Sequence, residues 1–309
     1  MKAKTIKAVL RKKIDEWVAT IEDKNVQELV LKDTIVTGGA IASMLLKEPV
    51  NDYDVYFRTK TTTLAVANYY VDRFQPQKKH GIPCAISVEA GTDRIKIVIK
   101  SAGIASAEGT DKAYEYFESR PDGSAADYVR TVMADAGEIE DMYQETEAEA
   151  LKVKREYKPV FASTNAITLS DQIQVVLRFF GEPDTIHENY DFIHCTNYWT
   201  SHDNNLVLRP AALEALLARE LIYVGSRYPV CSVIRLRKFI KRNWTVNAGQ
   251  ILKMLMQINE LDLADMDVLR DQLTGVDCAY FAEVLGKLNA KDPTKVDSAY
   301  LIEIIDRMF

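Results

Sequence analysis

No apolar run in this chain approaches the ~20 residues that a membrane-spanning helix needs, so no transmembrane segment is expected. Cysteine is scarce: Cys84, Cys195, Cys231 and Cys278 are scattered and form no C-x-x-C pair. That excludes the zinc and redox motifs built on such spacing and leaves buried thiols in a reducing cytoplasm as the expectation. An excess of positive charge is also missing. A net charge of −6 gives no general affinity for nucleic acid, so any RNA contact would have to use a local basic surface. The first residues, "MKAKTIKAVLRKKIDEWV", lack an apolar core and a small-residue cleavage site, so a signal peptide is not expected and a cytoplasmic location is. There is no internal repeat, low-complexity tract or long linker.

What is present reads as a mixed chain. Ile6, Val9, Leu10, Ile14 and Trp17 recur at helical spacing. Residues 34–37 and 53–57 read as short buried strands around a helix at 40–47 that Pro49 ends, and a second helix spans about 61–73. "CAISVEA" and "DRIKIVIKSA" form a hairpin pattern with "GTD" as its turn. From residue 103 to 157 the chain turns polar and helical, and "ADAGEIEDMYQETEAEA" holds seven acids and no base, the pattern of a solvated insertion. Strand patterns return in "KPVFASTNAITL", "QIQVVLRFF" and "YDFIHCTNYW", and the last third is helical. The order predicts an α+β fold: an N-terminal helix in 1–33, a mixed-sheet head over 34–205 with the helical insertion, and an all-helical tail over 206–309.

His187, His194 and His202 lie close together with Cys195 between them, but their spacing matches no common zinc pattern. The chemistry gathers instead in "TIVTGGAIASMLLKEPVNDYDVYF", residues 34–57. Carboxylates at i and i+2 on a strand share a face, so Asp52 and Asp54 could hold a metal ion together. Mg²⁺ favours such oxygen ligands, completing its shell with substrate phosphates. Gly38 and Gly39, between strand and helix, let the backbone approach those phosphates closely.

Strand, glycine pair, helix and Asp-x-Asp strand together resemble the nucleotidyltransferase superfamily that includes DNA polymerase β, poly(A) polymerases and CCA-adding enzymes. The resemblance is nearest to the head and neck of bacterial-type CCA-adding enzymes and poly(A) polymerases. "ENYDFIHCTNYW" puts Asp191 and Phe192 at the D-F of the family's R-R-D-F-T-I-N-A block. "SVIRLRKFIKRNW" puts Arg235, Lys238 and Phe239 on its neck helix pattern. The resemblance covers roughly 34–100 and 160–245, and it implies a nucleotidyltransferase-type mixed sheet. Gly38 and Gly39 would bind triphosphate, and Asp52 and Asp54 would hold two Mg²⁺ ions. Asp191 would either contact the ribose or, by chemistry, act as a third carboxylate and base on the acceptor hydroxyl. The chain departs from the family at Asn189 and Tyr190, which replace two arginines, and at Ser232 on the neck. Its third acidic position falls near Gln174.

Arg235, Lys238 and Arg242 recur at i, i+3 and i+7, a cationic stripe suited either to phosphates or to solvent. Arg58, Lys60 and Arg178, near the motif strands, are further candidates for the triphosphate. The expected activity is Mg²⁺-dependent transfer of a nucleoside monophosphate from an NTP to a hydroxyl, on an RNA or tRNA 3′ end or on a protein. The alternative is a catalytically impaired relative that binds a nucleotide or a protein through the same pocket.

Overall fold

The computed structural model describes residues 1–73, 84–91, 94–101, 116–118, 157–163 and 165–272. Helices α1 (Ala3–Val18) and α2 (Lys24–Asp33) come first, then strand β1 (Thr34–Thr37), helix α3 (Gly39–Leu46), strand β2 (Tyr53–Phe57) and helix α4 (Lys60–Arg73). Strands β3 (Cys84–Ala90) and β4 (Ile95–Ser101) pair as a separate antiparallel ribbon. Strands β5 (Tyr116–Glu118), β6 (Pro159–Ser163), β7 (Ala166–Leu169) and β8 (Ile173–Val176) follow, then a short helix α5 (Pro183–His187) and a 3₁₀ turn (Ile193–Cys195). Strands β9 (Tyr198–Thr200) and β10 (Asn205–Val207) are the last of the described strands. Helices α6 (Pro210–Ala218), α7 (Pro229–Lys241), α8 (Ala248–Asn259) and α9 (Met266–Gln272) close the described part.

Eight strands form one sheet in the order β10-β9-β1-β2-β8-β7-β6-β5. Among the described strands only β2 and β8 run parallel; their neighbours are antiparallel, so the sheet is mixed and the fold is α+β. β1, β7 and β8 are buried throughout, as central strands covered on both faces require. The helix pattern at the N-terminus is realised: Ile6, Leu10, Ile14 and Trp17 are fully buried, in one core with Val36, Val55, Phe57, Ile173 and Val175. The first 33 residues thus form two helices that pack on the sheet. Asp23 caps the second by accepting from Asn25 N and Val26 N.

Of the strand read in "YDFIHCTNYW", residues 190–199, Tyr198 and Trp199 fall in β9, while 190–197 form a turn around the 3₁₀ segment. Phe192 bridges to Tyr223, Ile193 N donates to Ile222 O and Val224 N donates to Asp191 O, which pulls the segment toward the helical part. A second core of Ala42, Phe192, Leu216, Leu221, Tyr223, Trp244 and Met254 joins α3 to the helices. Glu48, just past α3, reinforces the junction by accepting from Arg219 (2.8 Å) and Arg242 (2.5 Å). The insertion expected at 103–157 lies outside the described residues except for β5 and Tyr157, and the helices expected after 272 lie outside them as well. Among the described residues no helix is long and apolar enough to cross a membrane.

Candidate functional site

At the end of β1 the chain reverses through Gly38, with φ 92° and ψ −149°, a conformation open to glycine alone. A Cβ built there would meet Asp54 Oδ2 at 2.9 Å and the Tyr190 hydroxyl at 3.5 Å. Gly39, the first residue of α3, is different: a Cβ there would meet nothing within 4 Å. The first glycine makes room for the carboxylate, and the second faces open space. The turn is braced from behind. Gly38 N donates to Cys195 O at 3.1 Å, and Thr37 Oγ1 donates to Asn197 O at 2.9 Å and lies 2.8 Å from His187 Nε2.

Register does the rest. Thr37 lies opposite Asp54 across β1–β2, and Asp54 lies opposite Gln174 across β2–β8. Partners in register point to one face, so Gln174 stands directly beside Asp54, where the sequence placed the third acidic position. Asp52 sits just ahead of β2, partly buried. A cleft of about 260 Å³ gathers Gly38, Gly39, Asp52, Asp54, Gln174, Arg178, Asp191, Arg235 and Lys238. A larger hollow of about 740 Å³, lined by Tyr190, His187 and Arg209 among others, contains neither glycine and neither of those aspartates.

Two of the cations in the cleft, Arg235 and Arg178, are already oriented. Arg235 Nη1 donates to Asp191 Oδ2 at 2.6 Å, and the Arg178 guanidinium lies 4.4 Å from the Tyr228 ring and 3.8 Å from Asp271. Lys238 is exposed on α7. Arg58 and Lys60, expected at the triphosphate, are not in the cleft. Past the end of β2 the chain turns away, so Arg58 pairs with Glu182 at 3.1 Å and Lys60 Nζ reaches Gly91 O at 2.5 Å. Sequence reasoning did not find Tyr228, Asn165 or Trp244, which line the cleft from distant parts of the chain.

The donor set fits Mg²⁺: two hard carboxylates line the cleft beside the glycine turn, with open space at Gly39. Among the described residues no three His, Cys, Asp or Glu side chains gather as a metal centre, and Asp191 accepts from Arg235. The histidines are also apart: His187 meets Thr37, His194 packs against Trp244 and Phe239, and His202 faces Asp203. Burial pushes the Cys195 thiol far up, helped by the charges of Asp191 and Asp54, so it is no nucleophile. Burial, then the Asp54 charge, also raises the Tyr56 hydroxyl.

Burial lowers His187 and His194 from 6.5 to about 4, so both rings are neutral in the fold. Between those values the unfolded chain binds the proton and the folded one does not. Stability is therefore complete above about pH 6.5 and falls as pH drops toward 4, by on the order of 3 kcal/mol per ring. Urea midpoints measured from pH 7 to 4.5 should fall steeply, and His187→Gln with His194→Gln should flatten that slope. An unchanged slope would contradict the neutral-ring assignment.

Among solved structures, the chain is similar to a Thermotoga maritima CCA-adding enzyme complexed with tRNA-CCA, at 11% identity and TM-score 0.40, covering 84% of this chain and 49% of that one. It is similar to a Bacillus stearothermophilus CCA-adding enzyme in complex with CTP, at 12% identity and TM-score 0.35, covering 87% and 50%. A tRNA-processing enzyme with CTP gives 11% identity and TM-score 0.35, covering 82% and 52%. The chain thus spans about half the length of these structures. No curated protein matches it. One family model, described as Gabija anti-defense 2 family protein, matches residues 8–219.

Proposed function

The chain belongs to the Gabija anti-defense 2 family, and we propose that its cleft is the site of a Mg²⁺-dependent nucleotidyltransferase, which moves a nucleoside monophosphate from an NTP to an acceptor. The observation that carries this reading is the meeting of Gly38, Gly39, Asp52 and Asp54 around one cleft. The family segment, 8–219, contains those four residues with Gln174, Arg178 and Asp191, and ends before Arg235 and Lys238. Asp52 and Asp54 would hold Mg²⁺, which supplies charge neutralisation to a triphosphate in such reactions. The backbone at Gly39 and the first turn of α3 would receive the phosphates, as helix N-termini do. Arg178 and Lys238 would stabilise the charge that builds on the leaving pyrophosphate. Asp191 would position Arg235 through their hydrogen bond.

The family's name sets its members against the Gabija defence, so the acceptor is to be sought among components of that defence. The test offers each labelled NTP with Mg²⁺ to those components, to total RNA and to cell lysate. Pyrophosphate release with one labelled product is the expected result; no release with any NTP or any acceptor would contradict the reading. One observation favours a second reading. Gln174 stands beside Asp54 in place of a carboxylate, as it would in a protein that binds NTP without transferring it. Pyrophosphate release excludes that reading.

A further inference from the structure

We infer that the acceptor is a side-chain hydroxyl of a protein, on a segment whose apolar and basic residues seat in the hollow beside the cleft; the inference rests on the transferase reading above. One row of strand register joins the two spaces. Val207 lies opposite Tyr198, Tyr198 opposite Thr37, Thr37 opposite Asp54 and Asp54 opposite Gln174. Residues in register point to one face of a sheet, so the hollow, which holds Tyr198 and Val207, opens on the same face as the cleft. Tyr190 lines both spaces. Asp54 and Tyr198 are two strands apart, roughly 10 Å at the usual strand spacing. An acceptor whose hydroxyl meets the triphosphate in the cleft would therefore lay its neighbouring residues across the hollow.

The volume of the hollow, about 740 Å³, falls within the range of ligand pockets. Ile193, Val207, Pro210 and Val224 give it an apolar wall, and Tyr190 and Tyr198 add aromatic rings. Asp184 and Glu188 stand exposed beside them, and Arg209 is held by Asp184. The charge left over among these three is negative. A basic side chain gains there from a carboxylate and from ring faces, whereas a phosphodiester chain is repelled. His187, 7% exposed, completes the wall. Thr37 Oγ1 donates to Asn197 O and so accepts from His187 Nε2. The buried Nδ1 is then an acceptor with no hydrogen-bond partner among the described residues. A peptide N–H seated against the ring would satisfy it.

In the step, the oxygen of a serine, threonine or tyrosine hydroxyl attacks the α-phosphorus of the NTP. The bond from that phosphorus to the oxygen bridging the β-phosphate breaks, and pyrophosphate leaves with the electron pair. The hydroxyl proton is released to solvent, and the product is a phosphodiester between side chain and nucleoside. An extended chain advances about 3.3–3.6 Å per residue, so the residue seated at Tyr198 stands about three residues from the modified one.

The test uses the full chain with Mg²⁺, α-³²P-labelled NTPs and two kinds of acceptor. One is a set of synthetic peptides, each with a single Ser, Thr or Tyr, in which Arg, Leu or Glu is moved along the flanking positions. The other is an oligoribonucleotide with a free 3′ hydroxyl. Label is expected in peptides, about tenfold faster where Arg and not Glu stands about three residues from the hydroxyl. Glu188 is exposed and lines the hollow but not the cleft, so Glu188→Lys should invert that preference. The change should appear in the KM for peptide and not in the KM for NTP. Label in the oligoribonucleotide and in no peptide would overturn the inference and leave the transferase reading intact. Peptide labelling that ignores flanking charge, in the parent chain and in Glu188→Lys alike, would overturn the hollow as the acceptor's seat. Absence of pyrophosphate release with every acceptor would overturn both readings.

Discussion

Asp54→Asn should lower nucleotidyl transfer by about 10³-fold while leaving the thermal midpoint close to its original value. Phosphoryl transfer depends on positioning and on charge opposite the triphosphate, and removal of one such charge typically costs about that much. Asparagine keeps the shape of Asp54 and removes the charge. Its register neighbour Gln174 is already neutral, so Asp52 would stand alone. Steady-state pyrophosphate release and a thermal melt separate the two effects. A variant with unimpaired turnover would remove Asp54 from the site.

Gly38→Ala is expected to damage both fold and function, and Gly39→Ala function alone. At Gly38 the backbone has φ 92°, and an alanine there would carry strain of about 1–3 kcal/mol. Its Cβ would also stand 2.9 Å from Asp54 Oδ2, so the carboxylate would have to move. Displacements of about 1 Å at a reacting centre cost on the order of 100-fold in rate. At Gly39 nothing lies within 4 Å of the new methyl, and alanine is the better helix former. The Gly39 variant should melt at or above the parent temperature and bind NTP more weakly, because the methyl would occupy the space proposed for phosphate. Parallel melts and NTP titrations check the contrast; equal behaviour of the two variants would contradict the assignment of the turn.

The parts of this site that are local in sequence were legible before the structure. β1, α3 and β2 fall where apolar runs, two glycines and Pro49 put them, because turn chemistry and strand burial act over a few residues. The position of Gln174 beside the Asp-x-Asp strand was legible through the family pattern, and β2–β8 pairing supplies its register. The far wall was not. Tyr228 and Trp244 reach the cleft only through the packing of the helices around Phe192 and Tyr223, which no periodicity in those segments announces. Arg58 and Lys60 mislead for the same reason: nearness in sequence to Asp54 does not survive the turn after Phe57. Proximity in sequence also grouped three histidines that the fold sends to three separate surroundings.

The central claim is that Asp52 and Asp54 make this cleft a metal-dependent nucleotide site. Isothermal titration of NTP into the parent chain and into the Asp52→Ala, Asp54→Ala double variant, each with and without Mg²⁺, tests it most directly. The account predicts Mg²⁺-dependent binding to the parent and its loss in the double variant. Unchanged NTP affinity in the double variant would contradict it.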